Sequence, residues 1–374
     1  MKKKLNYFLA FITLFLSVSA AFASGGNTSV DILKSDISPL AMGMGGAYAA
    51  AGEGALSAYY NPAAVGNLQN PDVSFSYSGG FDKASVNFLA FATPLPYKGF
   101  AQLDKGVAAF SFHQSSLGDF TYRYIASDGS IFSKKFDAEK NMIFSLSYAE
   151  KAAEGETVID KHKIFLEHYM GVTVKYVKSV LLEEYSAGTP AFDAGYKIVE
   201  PEKGLMFGLS VSNLGGKIKY VKESYPLPTV LRAAFAVRTN PIMDHNVLFT
   251  AEYDRFTQDN LASAKIGVEY HLQKILNFRA GYRMIEENKG FTLGLGFFLD
   301  NVSADFSTSM LDVYSYSAFS LSYRFSSVEI KEKKKVKKIK VTDSEPVQEK
   351  KKEIKPVKNN QDKPKQSDDF FLLY

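Results

Sequence analysis

Seven charged residues, Glu252, Asp254, Lys265, Glu269, Arg279, Arg283 and Arg324, recur at alternate positions in segments whose remaining residues are largely aliphatic or aromatic. Val247, Phe249, Ala251 and Tyr253 alternate with Leu248, Thr250, Glu252 and Asp254. The same holds for Ala264, Ile266, Val268 and Tyr270 against Lys265, Gly267, Glu269 and His271, and for Phe278, Ala280, Tyr282 and Met284 against Asn277, Arg279, Gly281 and Arg283. Residues two apart on a strand share a face, so one side of each strand is charged and the other apolar. Charges of both signs on one face either form a polar path for a substrate or pair with one another to fill a closed interior. Both readings stay open from the sequence. A second group, Met42, Met44, Tyr48, Tyr59 and Tyr60 with the turn Asn61-Pro62, offers soft and aromatic contacts suited to an apolar ligand.

Catalysis is not signalled. The histidines, His113, His162, His168, His245 and His271, form no H-E-x-x-H, and there is no G-x-S-x-G elbow. They read as plain lumen or loop groups. The absence of cysteine removes thiolate metal sites, a cysteine nucleophile, disulfides and an acylated N-terminal cysteine. The expectation is a protein that is not an enzyme and has no catalytic residue, metal site or cofactor.

The elements that carry the charges are strands. Period-two alternation begins after Pro71, with Val73, Phe75 and Tyr77 against Ser74, Ser76 and Ser78, and ends with Phe319, Leu321, Tyr323 and Phe325 against Ser320, Ser322, Arg324 and Ser326. Soluble sandwiches and transmembrane barrels share this pattern. Strands of about nine to eleven residues favour the barrel. So do aromatics near strand ends (Tyr77, Tyr148, Tyr176, Tyr270, Tyr323, Phe325). Residues 71–327 hold fourteen or fifteen strand candidates, the ambiguous one being the hairpin Phe120 to Phe136 around Asp128-Gly129. Fourteen strands allow about 18 residues each, and an even count is expected. Turn signals at Gly79-Gly80, Asn288-Lys289-Gly290 and Asp300-Asn301 fit tight hairpins, and the polar stretch Glu150 to Lys161 reads as an outside loop.

Before the wall lies Ser38 to Gly66, SPLAMGMGGAYAAAGEGALSAYYNPAAVG, small-residue and helix-prone, with Glu53 its one charge. Ala and Leu favour short helices that Gly43, Gly45, Gly46, Gly52 and Gly54 interrupt. Gly43-x-Gly45 continues to Tyr48 where a dinucleotide fingerprint needs glycine, and no P-loop lysine follows. Close packing against a wall is the better reading, which makes the segment a plug.

The net charge of +4 belongs to the ends. Residues 1–23 carry +3 and residues 328–374, with 14 Lys and 9 Asp or Glu, carry +5, leaving the body at −4. A nucleic-acid partner is excluded on that distribution. Lys2 to Lys4, an apolar run from Tyr7 to Phe22 and Ala21-Phe22-Ala23 make a signal peptide, the run being shorter than a bilayer span requires. The Lys-rich tail cannot bury enough apolar surface to order itself. It reads as a solvated periplasmic extension or as a tether to peptidoglycan, lipid head groups or a periplasmic protein, ending in an apolar hook at 368–374.

The plug segment resembles the N-terminal hatch of FadL-like outer-membrane channels, particularly the PorV/PorQ branch. FDAGYKI (192–198), GLSVSNLGGKIKY (208–220), LPTVLRAAFAV (227–237), FRAGYRM (278–284) and FTLGLGFFLDNVSADFS (291–307) resemble that branch as well. The resemblance covers about residues 36–327 and implies an all-β, fourteen-stranded transmembrane antiparallel barrel in a Gram-negative-type outer membrane, with a small helical hatch inside. The organisation is then signal peptide 1–23, hatch 24–70, barrel 71–327 and tail 328–374. The resemblance implies transport or secretion: import of hydrophobic small molecules, as in FadL-like relatives, or binding of secreted cargo in type IX secretion, as in PorV-like ones. The expected partners are outer-membrane lipid with one or the other.

Overall fold

The computed structural model describes residues 26–80, 84–159, 162–241, 243–273, 275–285, 288–313 and 315–326. The segments expected to be a signal peptide, 1–23, and a Lys-rich tail, 328–374, lie outside them. Among the described residues the strands run, in chain order, β1 (Asp72–Gly79), β2 (Ser85–Lys98), β3 (Lys105–Ser116), β4 (Asp119–Ile125), β5 (Ile131–Asp137), β6 (Glu139–Ile159), β7 (His162–Leu181), β8 (Tyr185–Glu200) and β9 (Leu205–Gly215). The second half comprises β10 (Lys217–Lys219), β11 (Ser224–Pro226), β12 (Val230–Arg238), β13 (His245–Phe256), β14 (Leu261–Leu272), β15 (Leu276–Ile285), β16 (Gly290–Leu299), β17 (Val302–Leu311) and β18 (Ser315–Arg324).

Fourteen of these strands close into one antiparallel barrel, with β18 returning to β1 so that Asp72 faces Arg324. Closure satisfies every ladder and leaves no edge, which is what a strand-built wall needs in lipid. Phe75, Leu89, Phe144, Leu146, Phe249, Leu293 and Phe319 point outward, and the residues between them point in. Tyr77 and Tyr176 face outward near one rim, and Tyr148, Tyr270, Tyr323 and Phe325 near the other. At the rim where the wall begins and ends, connections are two to six residues long; at the opposite rim, two of them reach 22 and 14 residues. Short turns are periplasmic and long loops extracellular in such barrels, which fixes the orientation.

Two expectations about the wall need correction. Phe120 to Phe136 is not part of it: β4 and β5 pair only with each other, as a separate extracellular hairpin. Glu150 to Lys161 is not an outside loop either. Through Ile159 it continues β6, paired with β7, at the periplasmic end. Pairing to β3 stops at Ala149 and pairing to β8 at Glu167, so 152–159 and 162–166 project beyond the wall as a two-stranded ribbon. Its polar composition looks loop-like because it leaves the bilayer. Lys151, at the ladder's irregularity, reaches Asp104, Glu154 and Glu167 at 2.8, 3.0 and 2.9 Å.

Inside the barrel, the helix α1 (Pro39–Gly43) and single 3₁₀ turns at Asp31–Lys34, Ala55–Tyr59 and Pro62–Asn67 make up the hatch. Proline opens both α1 and the last turn, where its fixed φ helps and its missing N–H costs nothing. The segment threads the lumen from end to end. Thr28 and Lys34 reach Asp259 in the extracellular turn after β13, whereas Glu53 meets Arg238 at the periplasmic end of β12.

Candidate functional site

The hatch is seated by backbone contact with a wall stripped of side chains. Gly171 of β7 lies opposite Gly195 of β8, and Gly267 of β14 opposite Gly281 of β15. A Cβ at Gly171 would lie 2.5 Å from the Pro62 carbonyl carbon, and one at Gly267 would lie 2.5 Å from Met44 Cβ and O. Gly45 follows α1 at φ 71°, a conformation open chiefly to glycine, and a Cβ there would also meet the Tyr282 carbonyl at 2.8 Å.

Polar anchors complete the seating. Glu252 Oε2 accepts hydrogen bonds from the Tyr48 and Ala49 N–H groups at 2.9 and 2.7 Å, while its Oε1 accepts from Lys265 at 3.0 Å. Tyr60 Oη accepts from the N–H groups of Ile37 and Ser38 at 3.1 and 3.2 Å, and its ring packs edge-on to Tyr48 and Tyr59. Asn61 Oδ1 accepts from Ala63 N–H, and its Nδ2 donates to the carbonyls of Ala49 and Tyr196. Replacing Tyr60 with phenylalanine strands two buried N–H groups. It should cost about 1–3 kcal/mol, read as a lowered urea midpoint, while Tyr59→Phe, whose hydroxyl donates to the part-buried carbonyls of Leu33 and Ser35, serves as the comparison.

The inward charges form networks. Lys265 also reaches Asp254 at 2.6 Å, and Arg232 stands 3.8 Å from the same carboxylate. Arg279 bridges Glu269 and Asp305 at 2.6 and 2.7 Å, and Arg283 reaches Asp36 of the hatch at 3.1 Å. Arg324, half exposed, meets Asp72 at 3.5 Å. All seven charges named from the sequence thus face the lumen, and each has an opposite charge within 4 Å. On the other arc, Val86, Phe88, Ala90, Ala92, Val107 and Ala109 turn inward against Tyr59 and its neighbours. The lumen is therefore apolar along β2 and β3 and ionic along β13 to β17.

Between the hatch and the periplasmic mouth lies a cavity of about 130 Å³. Met44, Tyr48, Leu40, Leu56 and Leu248 form its apolar side; Arg238, His271, Glu269 and Arg279 form the polar one. Arg238 holds Glu53 at 2.9 Å, and His271 Nε2 lies 2.6 Å from Glu269. With its amide turned to satisfy both neighbours, Asn277 donates to His271 Nδ1 at 2.8 Å and accepts from Arg279 at 3.2 Å. That leaves Nε2 of His271 as the donor to Glu269. Of the soft and aromatic residues picked from the sequence, Met44 and Tyr48 reach this cavity; Met42, Tyr59, Tyr60, Asn61 and Pro62 pack within the hatch or against the wall. Arg238 and Leu56 were not signalled, and Leu248 was placed on the charged face of its strand with no part in a ligand site; only the convergence of β12, β13 and the hatch brings the three together. His168 and His245 also depart from the lumen reading: they bond Tyr196 and Tyr270 on the outward face.

No family model matches the chain, and no curated protein matches it. Solved structures do. The Pseudomonas putida toluene transporter TodX is 10% identical, covering 77% of this chain and 98% of its own, with a TM-score of 0.50. The Ralstonia pickettii toluene transporter TbuX is 14% identical over 77% and 98%, with a TM-score of 0.47, and a Pseudomonas aeruginosa FadL homologue is 10% identical over 82% and 99%, with 0.44. These proteins are transporters or outer-membrane barrels, and the likeness is one of fold. Together with the apolar outer band, the closed fourteen-stranded wall makes this chain a β-barrel of a Gram-negative-type outer membrane.

Proposed function

We propose that the chain carries apolar small molecules of about monoaromatic size across the outer membrane, without catalysis. The cavity below the hatch carries this reading. Its volume of about 130 Å³ approaches the roughly 150 Å³ of an apolar cavity that holds benzene, and Met44, Tyr48 and Leu56 give it a soft, apolar side. The fold shared with a toluene transporter supports the same substrate class. In this reading Met44 and Tyr48 face the ligand, and the paired charges hold the hatch rather than the cargo. The narrower PorV/PorQ assignment, with its cargo-binding role, rests on the sequence segments alone.

Cells with an intact lipopolysaccharide barrier should take up labelled toluene several-fold faster with the protein than without it. Leu56→Trp, which fills the cavity, should remove the gain while heat-modifiable gel mobility shows the barrel folded. Equal uptake with and without the protein rejects the importer. A folded secreted protein retained on the purified barrel would instead favour the adaptor.

A further inference from the structure

The outward surface of the wall is apolar or neutral along most of its height, yet three charged side chains face outward near the extracellular rim. They are Lys140 on β6, Lys178 on β7 and Arg255 on β13, and among the described wall strands all the outward charges at that rim are cations. At the periplasmic rim of β6 the outward charge is the carboxylate of Glu150. A cation at a lipid-facing rim attracts anionic head groups in the adjacent leaflet.

Arg255 differs from the two lysines in standing over a groove. Across β8, β9, β12 and β13, Ala194, Val211, Leu231 and Arg255 are in register in one row, and Tyr196, Leu209, Ala233 and Tyr253 in the next. The small side chains of Ala194 and Ala233, with Gly195 between the rows, leave a depression of about 530 Å³, within the range of ligand-sized clefts. Its outward side chains are apolar or aromatic except at the corner occupied by Arg255, one residue from the extracellular end of β13; Ser210 and Arg232 at its floor are buried and turned to the lumen, where Arg232 bonds Ser212. The guanidinium contacts the neutral side chain of Asn260, and among the described residues no carboxylate pairs with it. The chemistry is that of an amphiphile site: a hydrocarbon tail along the groove and an anionic head at its outer corner. A guanidinium favours phosphate there because its fork of donors matches two phosphate oxygens.

We infer that the groove over β8, β9, β12 and β13 binds a phosphorylated lipid of the outer leaflet, with the acyl chain between Tyr196 and Leu231 and the phosphate on Arg255. The site lies on the outside of the barrel and is independent of what crosses the lumen. The test uses full-length protein in alkyl maltoside micelles supplied with diphosphoryl lipid A as the probe, read by native mass spectrometry. Wild type should retain the lipid under activation that strips maltoside. Arg255→Gln should lower the retained fraction about fivefold, the worth of one cation at a membrane surface, and Ala233→Phe, which fills the groove, should lower it as well. Lys178→Gln, at the rim but off the groove, should leave it near wild type. No retention by wild type overturns the inference, as does unchanged retention by Arg255→Gln. An equal loss in Lys178→Gln overturns it too, because the attraction would then belong to the rim and not to the groove. If Ala233→Phe fails to show heat-modifiable mobility, the two charge variants decide alone.

Discussion

Gly171→Leu is expected to unseat the hatch and open the barrel to ions. A Cβ at this position meets the Pro62 carbonyl carbon at 2.5 Å and the Ala63 nitrogen at 2.6 Å. Both belong to the hatch backbone, so no flexible side chain can swing away to make room. The last 3₁₀ turn, fixed by Pro62 and by Asn61 hydrogen bonds on both sides, must move as a unit. Overpacking of this kind costs about 1–3 kcal/mol, occasionally more. The wall itself tolerates the change, since leucine is an ordinary strand residue and the β7 ladder keeps its backbone bonds. The cost therefore falls on the contact between hatch and wall. In planar bilayers the variant should show frequent openings where wild type is quiet, and its urea midpoint should fall. Gly155→Leu is the matched control: it lies on the projecting ribbon, and a Cβ there meets nothing within 4 Å. If Gly171→Leu conducts and unfolds like Gly155→Leu, the hatch is not held by close backbone contact.

The wall was legible in the sequence where lipid and lumen impose opposite demands on alternate residues. In 247–254 and 264–271 the alternation assigns every side chain to a face, and the structure keeps those faces. The pairs between strands were not legible. Glu252 opposes Lys265, and Glu269 opposes Arg279, only because tight turns set the register of β13, β14 and β15, and each strand read alone is silent on its neighbour. Alternation also fails where the lumen is itself apolar. Val86 to Ala92 buries Val86, Phe88, Ala90 and Ala92 against the hatch and turns Leu89 and Phe91 to lipid, so both faces are hydrophobic and no period shows. The ribbon fails for the opposite reason: at 152–158 and 163–166 both faces are half-buried or exposed. The hatch was visible as a small-residue segment, but its seat was not. A wall glycine looks the same in sequence whether it relieves a turn or receives another backbone.

Glu252→Leu should be the most damaging single change to the lumen charges. The carboxylate serves three donors at once: two hatch N–H groups through one oxygen and the Lys265 ammonium through the other. Its side chain is fully buried, so water cannot replace it. Removing one partner of a buried pair leaves the other uncompensated and costs about 3–5 kcal/mol. Asp254, 2.6 Å from Lys265, offsets part of this loss but cannot reach around to the Tyr48 and Ala49 N–H groups through the same geometry. A second substitution separates the two contributions. In Glu252→Leu/Lys265→Met the stranded ammonium is gone, and recovery of part of the lost stability measures the ion pair, whereas the remaining deficit measures the hatch N–H groups. Arg324→Gln sets the lower end of the scale. Its side chain is half exposed and 3.5 Å from Asp72, so its loss should cost no more than about 1 kcal/mol. Urea titrations of wild type and the three variants should give Glu252→Leu the lowest midpoint, the double variant the next and Arg324→Gln the one nearest wild type. A Glu252→Leu midpoint as mild as that of Arg324→Gln would mean that the lumen is wet enough to solvate the stranded groups, and that the charges line a water-filled path instead of anchoring a plug.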